Sequence, residues 1–142
     1  MKEKKVAVRY YSQTGNTKKL AERIAATAGC QAETTEVDLQ ERVDILFLGA
    51  SVYWAGIDKN VKEFIARLDK NKVGKVVVFS TSALLERAYP SINKHFTAKK
   101  IKVDAKDFYC RGQFTSLYRG KPDDKDLEAV EEFTKKILIK VL

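Results

Sequence analysis

Apolar positions along the chain alternate between a strand period and a helix period. Val6–Ala7–Val8–Arg9–Tyr10–Tyr11 is rich in β-branched and aromatic residues and predicts a strand over about Lys5–Tyr11. Leu20, Ala21, Ile24 and Ala25 then recur at helical spacing and predict a helix over about Thr14–Ala28, stopped by Gly29. A weakly apolar strand over about Gln31–Val37 suits a sheet edge. Only Asp38–Val43 separates it from the next strand, and a full crossover helix wants about 10–12 residues, so at most a turn or two fits there.

The strand at Asp44–Ala50 is the most apolar and reads as central, buried on both faces. A helix over about Ile57–Leu68 carries Val61, Phe64, Ile65 and Leu68 on one stripe. Val76–Val77–Val78–Phe79 marks a strand over about Lys75–Thr81, followed by a helix at about Ser91–Thr97 beside Pro90. A last strand is expected over about Ile101–Gln113, interrupted around Asp104–Lys106. A final helix is expected over Asp123–Lys140, with acidic residues in its first turn and lysines in its last. Strands alternating with helices imply a parallel sheet covered on both faces, whose ligands bind beyond the carboxyl ends of the strands.

The loop after the first strand carries the most chemistry. Ser12–Gln13–Thr14–Gly15–Asn16–Thr17 sits where a strand ends and a helix begins. Unpaired N–H groups and the positive end of the helix dipole meet there and attract anions. Ser12, Thr14 and Thr17 add hydroxyls, Asn16 adds an amide, and Gly15 admits close backbone approach. The segment holds no Lys or Arg, so a phosphate would be bound by neutral donors. An ordinary capped turn is the plainer reading. A P-loop is excluded because Gly15 is followed by Asn16–Thr17–Lys18, and a dinucleotide fingerprint because it needs three spaced glycines.

At 142 residues and 44% apolar, the chain suits one domain with a real core, spanning 1–142. Its longest apolar runs are far short of a membrane span, and no cleavable leader follows the basic first residues, so a cytoplasmic location is expected. Cys30 and Cys110 lack metal spacing and are expected to be reduced and packed. His95 is expected on a helix surface. The net charge of +8 admits nucleic acid, an anionic surface or an acidic protein partner. Zinc spacing, RNA-binding aromatics and a helix-turn-helix signal are all missing, which sets nucleic acid aside.

Ser12, Thr14, Gly15 and Thr17 match all four defined positions of the flavodoxin phosphate loop, Ser/Thr-x-Thr-Gly-x-Thr, and the chain resembles the flavodoxin family. Gly49, Ser51 and Tyr53 resemble the family's second flavin loop, and Asn60–Ile65 resembles the helix after it. Phe108–Phe114 and Tyr118–Pro122 resemble the terminal part of short family members. The resemblance implies a doubly wound five-stranded parallel sheet of order 2-1-3-4-5, with helices on both faces, and noncovalent FMN.

It implies that Ser12, Gln13, Thr14, Gly15, Asn16 and Thr17 hold the phosphate. Tyr53 and Trp54 would flank the ring, with Ser51, Val52, Ala55 and Gly56 contacting it through backbone; packing onto the domain or a protein interface is the alternative for the two aromatics. Ser80, Thr81, Ser82 and Ala83 would meet the ring edge, and Tyr89 would stack or simply pack. No catalytic acid or base and no metal ligand is expected, since the flavin carries the redox chemistry. The chain departs from the family in its basic charge, its short helical connection between the second and third strands and a short loop after the fourth strand.

The role implied is an electron carrier between redox partner proteins, acidic ones suiting the charge. An oxidoreductase acting on a quinone or porphyrinogen stays open, because Gly49–Tyr53 also resembles the flavodoxin-like protoporphyrinogen oxidase. A non-redox module on the same fold is a third reading, but a receiver domain needs an acidic pair where this chain has Tyr10–Tyr11. Arg87, Arg111, Arg119 and Lys121, set against Asp58 and Glu86, are expected to raise the flavin potential.

Overall fold

The structure is a computed structural model that describes residues 4–12, 15–52, 57–82, 88–112 and 120–140, without the side chains of Val52, Arg111 and Lys140. Gln13, Thr14, Tyr53, Trp54, Ala55, Gly56 and Ala83, and with them Glu86, Arg87 and Arg119, lie outside the described residues.

Five strands form one parallel sheet: β1 (Val6–Tyr10), β2 (Ala32–Thr34), β3 (Val43–Val52), β4 (Val73–Ser82) and β5 (Phe108–Arg111), in the order β2-β1-β3-β4-β5. The four helices are α1 (Asn16–Ala28), α2 (Lys59–Arg67), α3 (Tyr89–Ala98) and α4 (Asp124–Lys140). Alternation along the strands divides the apolar side chains between two cores. Val8, Ile45, Phe47, Val77 and Phe79 pack under α1 and α4 with Leu20, Ile24, Val130 and Ile137. Ala7, Leu46, Leu48, Val76 and Val78 pack under α2 and α3 with Val61, Phe64, Ile92 and Phe96.

β2 is at the edge as expected but covers only Ala32–Thr34 of the expected Gln31–Val37, and no helix follows it: residues 35–42 run as turns and irregular chain. Side-chain cations satisfy the carbonyls that a helix would have bonded internally. Arg9 shares the α2–α3 face of β1 with Ala7. It is 7% exposed and donates from Nε to Val37 O at 2.7 Å and from NH2 to Asp38 O at 3.3 Å. Arg67 at the end of α2 donates to Thr35 O at 2.7 Å and to the Asp38 carboxylate at 3.0 Å. Leu39 from the same connection is buried in the α2–α3 core. Lys99 similarly closes the carboxyl end of α2, donating to Ile65 O, Ala66 O and Leu68 O.

The expected break before β5 is real. Val103 makes one isolated bridge to Val76, and the Asp104 carboxylate then turns the chain by accepting the Lys106 N–H at 2.9 Å. Its other oxygen takes the Lys75 ammonium at 2.7 Å, a pair that is largely buried. Cys30 and Cys110 are free and half-buried, and burial pushes the Cys110 thiol up to about 12. His95 is half-buried on α3, with Nδ1 2.8 Å from Ser91 O. Tyr89 packs against the α2–α3 core.

Candidate functional site

β1, β3 and β4 all end at the same pole of the parallel sheet, and α1 begins there. The Ser12 hydroxyl accepts the Gly15 N–H at 3.0 Å and tightens the turn out of β1. Gly15 lies at φ 89°, the left-handed region that favours glycine, and a Cβ there would meet nothing within 4 Å. Backbone conformation, not space, therefore calls for glycine, and the surface beside it is open.

Gly15 caps α1 without a side chain, whereas the Asp58 carboxylate caps α2 by accepting the Asn60 N–H at 2.8 Å. At α4, Asp123 and Asp126 each accept the other's backbone N–H, at 3.0 and 2.9 Å. α3 also lacks a side-chain cap, but Pro90 removes one of its first-turn N–H groups. The start of α1 thus has a glycine in the capping place and the positive end of the helix dipole, the usual seat of an anion.

Three buried hydroxyls close the floor of this site. Thr17 Oγ1 lies 2.8 Å from Ser51 Oγ and 2.9 Å from Thr81 Oγ1, and the last two are 3.4 Å apart. Ser51 follows Phe47 and Gly49 on the α1 side of β3, and Thr81 follows Val77 and Phe79 on the same side of β4, so strand alternation aims both at α1. Each hydroxyl has one proton to give. If Thr17 donates outward to an anion, Ser51 and Thr81 can both donate to Thr17.

The expected site residues divide accordingly. Ser12, Gly15, Asn16, Thr17, Ser51 and Thr81 come together, with Thr81 joined to the α1 hydroxyl cluster through its side chain. Ser80 points to the opposite face, where its hydroxyl accepts the Ala88 N–H at 3.3 Å at the start of α3. Ser82 offers its carbonyl to the Gly112 N–H at 3.1 Å. Gly49 owes its identity to the core: a Cβ there would stand 2.2 Å from the Phe79 ring.

Of the four cations expected at this pole, Lys121 is taken up by Asp123 at 2.9 Å and Asp126 at 3.3 Å, so it brings no net positive charge. Gly112 was not singled out by sequence as a site residue, yet it lies directly against Asn16. Among the described residues, no cluster of His, Cys, Asp or Glu could hold a metal ion, and no helix is long and apolar enough to cross a membrane.

A family model described as "Flavodoxin domain" matches residues 7–136. No curated protein sequence matches the chain. Among solved structures, a flavodoxin from the domain Archaea is similar at TM-score 0.76 and 20% identity, over 96% of this chain and 97% of that one. Oxidised flavodoxin 2 from Bacillus cereus is similar at TM-score 0.72 and 15% identity, over 96% and 99%. The rubredoxin oxygen:oxidoreductase of Desulfovibrio gigas is similar at TM-score 0.75 and 13% identity, over 95% of this chain but 35% of that one. At these identities the structural likeness establishes the fold, and the family match establishes kinship: the chain belongs to the flavodoxin family and its cofactor is FMN.

Proposed function

We propose that this chain, as one domain over 1–142, is an FMN-dependent electron carrier serving protein partners in the cytoplasm. The observation that carries the cofactor site is the hydroxyl cluster of Thr17, Ser51 and Thr81 beneath an α1 N-terminus that has no side-chain cap. This donor set fits a phosphate monoester: the first-turn N–H groups, the Asn16 amide and the Ser12 and Thr17 hydroxyls would hold it, with Gln13, Thr14 and Gly15 completing the loop. Ser51 and Thr81 orient the Thr17 hydroxyl from below. Tyr53 and Trp54 would cover the ring faces, and the chain around Val52, Ala55 and Gly56 and around Ser82 and Ala83 would line its edges.

When bound, FMN supplies the electron transfer. The chain's own part is to bind and orient it and to exclude water from one side. The described side chains that converge on the site are neutral hydroxyls and an amide, a donor set suited to holding a cofactor and not to moving substrate protons. With the flavin supplying the redox chemistry in either role, what supports a carrier above an oxidoreductase with its own quinone or porphyrinogen substrate is the flavodoxin family match. Free cysteines with no disulfide suit a reducing compartment.

The net charge of +8 favours acidic partners. Stopped-flow reoxidation of the reduced holoprotein tests this reading. An acidic one-electron acceptor such as a ferredoxin should react fast at low salt and slow markedly as ionic strength rises, while basic cytochrome c should be slower. Fast turnover with a quinone and slow, salt-independent reaction with every protein acceptor would favour the oxidoreductase instead.

A further inference from the structure

Gly112, the residue after β5, lies beside the end of β4 and close to the first residue of α1. Gly112 is buried, and a Cβ built on it would stand 2.7 Å from Asn16 Nδ2, 3.0 Å from Asn16 Cγ and 3.1 Å from Asn16 Cβ. Its φ is not positive, so its backbone is open to any residue, and what demands glycine there is the Asn16 side chain. The Gly112 N–H bonds Ser82 O at 3.1 Å, which fixes the backbone on this side of the contact. Ser82 adjoins Thr81, whose hydroxyl meets that of Thr17, the neighbour of Asn16. The contact therefore closes a ring that runs from β5 through β4 and α1 back to β5.

We propose that Gly112 is a positioning residue: it is the wall that holds the Asn16 carboxamide where it can donate to the FMN phosphate. This rests on the reading of residues 12–17 as the phosphate site. With the backbone of Gly112 fixed and the nearest atom being the tip of a side chain, a methyl group at 112 would displace the carboxamide and leave the fold nearly as stable as before. Gly112→Ala is thus expected to act on phosphate recognition selectively.

The test is titration of the apoprotein with FMN and with riboflavin, for the wild type, Asn16→Ala, Gly112→Ala and the double variant, with thermal unfolding of each apoprotein. One hydrogen bond to a charged phosphate corresponds to about a tenfold change in affinity. Asn16→Ala should therefore weaken FMN about tenfold and leave riboflavin unchanged, with Gly112→Ala doing the same to a similar or smaller extent. In the Asn16→Ala background, where the two closest atoms are gone, Gly112→Ala should add little.

If Gly112→Ala leaves FMN affinity unchanged, or weakens both flavins alike, the positioning role is overturned while a selective effect of Asn16→Ala keeps the phosphate site. Full additivity in the double variant also overturns it. If Asn16→Ala leaves the FMN-to-riboflavin ratio intact, the phosphate reading itself fails and the inference goes with it. Should Gly112→Ala not fold, recovery of folding in the double variant supports the contact, and continued failure overturns it.

Discussion

The Oγ1 atoms of Thr17 and Thr81 stand 2.9 Å apart, although the residues are separated by 64 positions in the chain. That contact joins the first turn of α1 to the end of β4, and Ser51 at the end of β3 completes the cluster at 2.8 Å from Thr17. All three are buried, so losing one partner costs the others a hydrogen bond.

Thr81→Val should therefore cost about 1 kcal/mol of apoprotein stability, and Thr17→Val, which loses both contacts, about 2 kcal/mol. The double variant should cost less than the sum, since both changes break the same bond. Urea unfolding of the four apoproteins measures this. Thr81→Val should also weaken FMN severalfold without affecting riboflavin, because the Thr17 hydroxyl loses one of the donors that orient it.

Arg9 is the second test. Its buried guanidinium satisfies Val37 O, Asp38 O and Val8 O, and Arg67 supports the same segment from α2. Arg9→Leu keeps an apolar stem but strips these carbonyls, and should cost about 2–3 kcal/mol. Hydrogen exchange should rise first in residues 35–42, where the backbone has no helical bonds of its own. Uniform exchange across the sheet instead would mean that Arg9 supports the strand and not the connection.

The start of α4 gives a pH dependence. The Lys121 ammonium, and then the Asp126 N–H, hold the Asp123 carboxyl at about 2. An ordinary unfolded Asp titrates near 3.9. A depressed carboxyl pKa contributes stability that is fully present above the unfolded value and is lost as pH falls through the folded one. Asp44, lowered by the Lys5 N–H and by Arg42, acts in the same direction. Stability should thus be level above about pH 4 on this account and fall between about pH 4 and 2. In a carboxyl NMR titration, Lys121→Met should move the Asp123 midpoint up toward the ordinary range.

The middle of the sheet was legible because β1, β3 and β4 carry the apolar runs of the chain and α1 and α2 carry clean stripes. That the β2–β3 connection has room for at most a turn or two of helix was legible from length alone, and the structure has none in 35–42; the break before β5 was legible from Asp104–Lys106. Strand ends were read less well: β3 runs on to Val52 and β4 starts at Val73, because parallel pairing extends through Gly74 and through polar Ser51 and Ser82, which pattern alone assigns to loops.

Roles within the loops depended on parity and on distant partners. Alternation separates Ser80 from Thr81, but only the placement of α1 tells which of the two meets Thr17. Arg9 could have been noticed as a charge inside an apolar strand beside a connection too short for a helix. Gly112 had no such signal, since its demand for space comes from Asn16 on another element.

The central claim is that a phosphate is held by neutral donors at the start of α1. Calorimetric titration of the apoprotein with FMN, riboflavin and FAD tests it most directly. FMN should bind far more tightly than either of the others, and Thr17→Ala should erase about 1.5–3 kcal/mol of that preference, the value of a hydrogen bond to a charged group. Equal affinity for FMN and riboflavin, or a preference untouched by Thr17→Ala, would contradict it.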